Sequence, residues 1–184
     1  MFTISGAEGM ATDRAHFLEI LEDSYSAYYN ISKESMPAEL PLCFRAEFHK
    51  RAEMYWLSKT IPVYGNEENE YAYIFSNSEF DADTVRKCIA FSMEDGLPKV
   101  KPHKEHQCSN IKAVFVSEQF TPEALQEIRR RKFQKSYRFS FWGYSSLLAC
   151  AVDPETEEVT VNSAARDMKK YFHQLFAAQK KQQT

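Results

Sequence analysis

The feature that most limits what this chain can fold into is a short β-prone run, Ile111-Lys112-Ala113-Val114-Phe115-Val116, followed after Phe120 by Thr121-Pro122-Glu123 and a helical stretch. A strand that leads into a well-capped helix is half of a βαβ unit, and such a strand is normally covered on both faces. Thr121 suits the N-cap, Pro122 the first helical position, and Glu123 the positive end of the helix dipole. The run therefore belongs in the middle of a sheet. Ahead of it lies Lys101-Pro102-His103-Lys104-Glu105-His106-Gln107-Cys108, the loop with the chain's most unusual side chains.

The rest of the pattern surrounds that unit. Phe17, Leu18, Leu21, Tyr25 and Tyr28 recur at helical steps after a cap at Thr12 or Asp13, and residues 30–41 read as a connection. Leu42, Phe44, Ala46 and Phe48 alternate with polar neighbours, as a half-buried strand requires. A turn at 50–53, a strand at 54–59, a second turn at 65–69 and a strand at 71–75 complete a three-stranded antiparallel meander. Asp81 or Asp83 caps a helix that Gly96 ends, with Val85, Cys88, Ile89 and Met93 as its buried stripe.

Beyond the central unit, Tyr137, Phe139 and Phe141 alternate with Arg138 and Ser140 as a strand, and residues 147–152 and 159–161 form two more. Met168, Tyr171, Phe172, Leu175 and Phe176 share one face of a last helix. The expectation is an α/β fold of α+β character, in which a three-stranded antiparallel meander continues into a mixed sheet with a βαβ unit and helices packed on it. A single globular domain spans residues 12–178, with flexible termini at 1–11 and 179–184. No internal repeat stands out.

A chain of 184 residues can bury about 70% of its unfolded surface without staples. Its net charge of -3 gives no bulk attraction to nucleic acid or to an anionic membrane. No apolar stretch approaches the length of a membrane span, so no membrane partner is expected. Cys43, Cys88, Cys108 and Cys150 form no Cys-x-x-Cys pair, which fits reduced thiols in a cytoplasmic protein. With only 5 glycines and no glycine-rich loop, a nucleotide cradle is not expected. Tyr 10 and Phe 14 are enough rings for a core and for a homo-oligomer surface that no sequence feature locates.

Several chemistries can be tested residue by residue. His103, His106 and Cys108 are candidate ligands for a divalent transition metal, and His103 with His106 are the residues a metal-dependent hydrolase would use. A closed tetrahedral site needs a fourth donor such as His49, and the same polar side chains can bond to backbone or water, so no cofactor is expected. Cys108 beside His103 or His106 lacks the third group that orients a nucleophilic pair. Gly143-Tyr144-Ser145-Ser146 lacks the Gly-x-Ser-x-Gly spacing of a serine nucleophile. The densest basic run is Arg129-Arg130-Arg131-Lys132 with Lys135 and Arg138; at a helix C-terminus cations oppose exposed carbonyls. Together with Lys101, Lys104, Tyr137 and Trp142, that run also has the cation-and-ring composition of a single-strand binder. The loop before a strand and the end of the helix after it lie at the same edge of a βα unit, so the two clusters are expected to be neighbours.

The order α, three antiparallel strands, α, strand resembles the core of the restriction-endonuclease-like fold. That resemblance implies an acid on the second strand and an acid-x-Lys pair on the third, holding a metal and its water. Residues 70–75 have no lysine and residues 54–59 have no acid, so a member of that fold would be catalytically silent here. Val100-Lys101-Pro102-His103-Lys104-Glu105-His106 and Lys135-Ser136-Tyr137-Arg138-Phe139-Ser140-Phe141-Trp142-Gly143-Tyr144-Ser145 resemble segments of an uncharacterised bacterial domain family. With Leu57-Ser58-Lys59, the likeness covers about residues 12–176, implies a single soluble cytoplasmic domain and carries no catalytic residue. The expected function is a non-catalytic binding domain whose partner, a protein or a nucleic acid, meets the 101–108 loop and the 129–144 segment. A silent nuclease-like nucleic-acid binder and a metal-dependent hydrolase are the alternatives.

Overall fold

The computed structural model describes residues 13–55 and 62–182. Residues 111–116 lie in β5 (His106–Val116), which pairs in parallel with β3 (Pro62–Ser76) on one side and β8 (Tyr144–Val152) on the other. Successive side chains point to opposite faces, and Ile111, Ala113, Val114, Phe115 and Val116 are all fully buried. Both faces are therefore covered, as the sequence pattern requires. Full burial of a side chain such as Phe115 contributes about 2 to 3 kcal/mol.

Two helices cover each face. α2 (Ala82–Gly96) and α3 (Pro122–Arg130) pack with Tyr73, Phe75, Ile111, Phe115 and Leu147. α1 (Arg14–Ser26) and α4 (Arg166–Gln182) pack with Phe44, Ile74, Val114 and Cys150. With β1 (Asn30–Ser32), β2 (Leu42–Tyr55), β7 (Gln134–Ser136) and β9 (Val159–Val161), the sheet runs β1-β2-β3-β5-β8-β7, and β9 also pairs with β8. It is a mixed sheet between two helical layers.

The two strand-helix units repeat one another, although no repeat stood out in the sequence. β3 leads through β4 (Glu79–Phe80) into α2, and β5 leads through β6 (Gln119–Phe120) into α3. The register keeps one constant offset: Tyr73 opposite Ala113, Phe75 opposite Phe115, Phe80 opposite Phe120. The Phe75 and Phe115 rings stack at 5.4 Å, and those of Phe80 and Phe120 at 5.7 Å. Both N-caps follow the same offset. Asp81 Oδ1 accepts the Thr84 amide at 2.7 Å and Thr121 Oγ1 accepts the Ala124 amide at 3.2 Å, each worth about 1 kcal/mol.

The antiparallel meander exists, but other segments build it. Its first strand is β1, inside the expected connection, and the turns expected at 50–53 and 65–69 are strand. β2 and β3 form one long hairpin whose register runs from Leu42 opposite Phe75 to Tyr55 opposite Pro62. β5 joins β3 only from Glu67 onward, so among the described residues no third strand pairs with the ribbon beyond it. A two-stranded ribbon is not held to the alternation of a half-buried sheet, and the polar sequence at 50–53 and 65–69 resembles a turn. Of the strand expected at 54–59, Met54 and Tyr55 end β2 and residues 56–59 lie outside the described residues.

The strand expected from Tyr137 to Phe141 is a loop, and the pairing there belongs to the short β7 before it. α4 continues past Ala178 to Gln182, with Gln179 buried. Residues 1–12 lie outside the described residues.

One side chain completes the edge of β8. β7 pairs with residues 144–146 and β9 with residues 150–152, which leaves a gap between them. Asn162, 1% exposed, fills it: its Oδ1 accepts the Ala149 and Ala165 amides, and its Nδ2 donates to the Leu147 and Arg131 carbonyls. All of its side-chain bonding capacity goes to backbone groups, among them the Leu147 carbonyl and the Ala149 amide in the gap.

Candidate functional site

The 101–108 loop meets the 137–143 loop at the start of β5. The pairing of β5 with β3 shifts between Glu67 opposite His106 and Glu68 opposite Cys108, so Gln107 is an extra residue in β5. This bulge puts His106 on the same face as Ser109 and Ile111. His106 is buried; its Nδ1 lies 2.7 Å from the Trp142 carbonyl, to which it donates, and its Nε2 lies 2.8 Å from the Ser109 hydroxyl. The His103 ring is 6.3 Å away, with Nδ1 accepting the Glu105 amide at 3.2 Å and Nε2 lying 3.0 Å from the Glu67 carboxylate.

All four imidazole nitrogens are therefore engaged. Cys108 faces the other side of the sheet, hydrogen-bonded to Tyr144, and burial followed by Glu68 and Glu70 pushes its thiol up from the ordinary value. The three candidate ligands do not converge. Among the described residues no group of three or more His, Cys, Asp or Glu side chains is arranged to hold a metal ion.

Other side chains expected at the site do come together here. Tyr137 stands against His106 at 5.9 Å and its hydroxyl lies 2.9 Å from Ser145 Oγ. Lys135 lies over the Tyr137 ring at 5.5 Å and Arg138 over the Trp142 ring at 4.0 Å. Lys101 and Lys104 are exposed on the adjoining loop. The arginine run makes its contacts elsewhere: Arg129 reaches Thr160 at 3.4 Å, Arg131 pairs with Glu127, and Arg130 is exposed on the last turn of α3.

Behind His103 a polar row crosses the sheet. Glu67 accepts the Asn69 amide at 2.8 Å, and Asn69 Oδ1 lies 2.7 Å from His49 Nδ1. The Asn69 bond, opposed by burial and aided by His103, holds the Glu67 carboxyl below its ordinary value. A carboxyl whose folded pKa is depressed contributes stability above its unfolded pKa and loses it as pH falls through the folded one. Between about pH 5 and pH 3 the urea midpoint should fall, and Glu67→Gln should flatten part of that fall. Identical slopes for the two proteins would remove Glu67 from the network.

On the opposite face, α1 and α4 stand over a cleft of about 670 Å³ that the sequence reading missed. Its floor carries Glu70 on β3, Asn110 and Lys112 on β5 and Ser146 on β8. Lys112 pairs with Glu70, their side chains 12% and 22% exposed, and the Tyr29 hydroxyl donates to the same carboxylate oxygen. Lys112 Nζ also lies 3.2 Å from the Tyr29 oxygen. Burial, then the bond to Glu70, holds the Tyr29 phenol well above its ordinary range, so it remains a donor. A signal was present: Asn110 and Lys112 share the strand phase of Val114 and Val116, and polar groups in phase with a buried face must be paired.

A family model described as a domain of unknown function (DUF8052) matches residues 13–174. No curated protein and no solved structure matches the chain.

Proposed function

We propose that this chain, which belongs to the DUF8052 family, is a non-catalytic binding domain that docks a protein partner through its 137–143 loop and the 101–108 segment beside it. The observation that carries this reading is the backbone of Arg138, Phe139 and Ser140, held at φ 45, 53 and 71. Outside glycine, that conformation costs about 1 to 2 kcal/mol per residue and persists only where neighbouring contacts enforce it. Those contacts are present: the Trp142 carbonyl accepts from His106, the Tyr137 amide donates to the Gly143 carbonyl at 3.0 Å, and the Trp142 amide to the Tyr137 carbonyl at 3.2 Å. The braced loop holds Phe139 97% and Phe141 81% exposed.

Two rings held rigidly in water are suited to anchor in an apolar pocket, with Lys135, Arg138, Lys101 and Lys104 forming a charged rim. The engaged nitrogens of His103 and His106 give hydrolysis no support. Nucleic acid is a second reading, favoured by the Arg138–Trp142 and Lys135–Tyr137 stacks. We place the domain in the bacterial cytoplasm, where four free cysteines stay reduced. Among the described residues no helix is long and apolar enough to cross a membrane.

The test is Phe139→Ser with Phe141→Ser. Because both rings are exposed, the variant should keep its stability within about 0.5 kcal/mol. It should lose the protein that the parent chain captures from extracts of its source cells. Retention of that protein would refute the docking reading. A gel shift on mixed oligonucleotides that weakens with salt and disappears in Arg138→Glu would transfer the role to nucleic acid.

A further inference from the structure

The cleft lies on the face of the sheet away from His106 and stands independently of the docking loop. Five of the chain's 10 tyrosines line it: Tyr25, Tyr28, Tyr29, Tyr144 and Tyr171. Tyr25 and Tyr29 sit 4.7 Å apart between ring centroids, and Tyr171 meets Tyr25 edge-on at 6.5 Å. Walls of this kind favour a flat ring system, and a cleft of about 670 Å³ has the size of small-molecule sites.

The floor sets the polarity of that ring. Glu70 and Asn110 are opposite each other across β3 and β5, and Asn110 is opposite Ser146 across β5 and β8. Tyr29 and Lys112 both donate to Glu70 Oε2, which leaves Oε1 as an acceptor. Ser146 donates to Asn110 Oδ1 at 2.8 Å, which leaves the Asn110 amide as a donor. Neighbouring strands lie about 4.8 Å apart, so acceptor and donor stand side by side. The charged side chains lining the cleft are Glu70, Lys112 and Asp167. Lys112 is balanced by Glu70, so no cation is left for a phosphate.

We propose that the cleft binds a neutral, flat heterocycle with a hydrogen-bond donor and an acceptor adjacent on one edge, as in a free nucleobase or nucleoside. The ligand's N–H donates to Glu70, its ring nitrogen or carbonyl accepts from Asn110, and its faces lie against the tyrosines. Lys112 and Tyr29 are positioning residues that hold the Glu70 carboxylate in one orientation.

The test is calorimetric titration of the full chain with adenosine, guanosine, cytidine and uridine and with their 5′-monophosphates. At least one nucleoside should bind one-to-one with a dissociation constant below about 1 mM, and its monophosphate should bind about tenfold or more weakly. The paired substitution Glu70→Leu/Lys112→Met, which removes both charges together, should weaken binding about tenfold or more while the fold persists. Ala164→Trp, at an exposed position on the cleft's rim, should block binding without touching the ion pair. Phe139→Ser/Phe141→Ser should leave nucleoside binding unchanged, so failure of the docking reading and failure of this one are distinguishable. The inference is overturned if no nucleoside binds, if the monophosphate binds equally well, or if neither cleft variant weakens binding.

Discussion

Gly143→Ala should lower the stability of this protein by about 3 kcal/mol, more than a typical core truncation of one methyl group. Gly143 has φ 72, and a Cβ there would lie 2.2 Å from the Gln107 carbonyl oxygen and 2.6 Å from that of His106. Both are backbone atoms of the bulged start of β5, held by pairing with β3, so neither can swing aside. The left-handed backbone alone costs a non-glycine residue about 1 to 2 kcal/mol. Moving the loop to relieve the clash also breaks the His106–Trp142 hydrogen bond, worth about 1 kcal/mol net. Gly96→Ala is the control. Its nearest neighbour is a side-chain atom, Ile111 Cγ1 at 3.1 Å, in an ordinary helical conformation, so its effect should stay within about 1 kcal/mol. Chemical denaturation of both variants decides the matter, and equal midpoints would mean that the loop does not touch the bulge.

Lys112→Met alone should cost about 3 kcal/mol or more, and adding Glu70→Leu should restore most of the loss. Removing one member of a mostly buried pair strands the other charge in a poor solvent, whereas removing both leaves apolar groups of similar volume. Tyr29 continues to donate to Glu70 in the single variant, which softens the loss without neutralising the carboxylate. The double-mutant cycle should give a coupling of about 2 kcal/mol or more in urea denaturation. Additive effects would show that the pair is solvated and the cleft floor is not a dry site.

The parts of the fold that were legible in the sequence are those where local chemistry and burial agree. Thr121-Pro122 and Asp81 open helices because a side-chain oxygen meets an orphan amide, whatever surrounds it. Residues 111–116 are a strand because both faces are buried. The long hairpin was less legible because its far half pairs beyond the start of β5, and its polar sequence at 50–53 and 65–69 resembles turns. Tyr137, Phe139 and Phe141 alternate like a strand, yet alternation of rings signals a sheet only when one face is buried, and two of these rings are in water. The repeat escaped notice because its units share a register and ring positions, Phe75 with Phe115 and Phe80 with Phe120, with little other identity.

The candidate site was legible as a meeting of two loops, since His106 does reach the 137–142 segment, with His103 beside it. Their distribution between faces was not. Strand parity alone places His106 with Cys108, and a single extra residue at Gln107 reverses the assignment. The arginines follow α3 outward to Glu127 and Thr160 instead of turning back. The cleft depends on residues far apart in sequence, Tyr29, Glu70, Lys112 and Tyr171, which no local window brings together.

Asn162 also bears on how copies of this chain behave when crowded. An open strand border invites a foreign strand to add to it, and repeated addition leads to fibrils. At the outer border of β8 the carboxamide occupies the peptide groups that a newcomer would need, much as a stopper closes a seam. β7 and β9 already cover the two ends of that border, so what remains open between them is closed by this one side chain, and Asn162→Leu would be the substitution to watch for slow, seedable insolubility in concentrated solution.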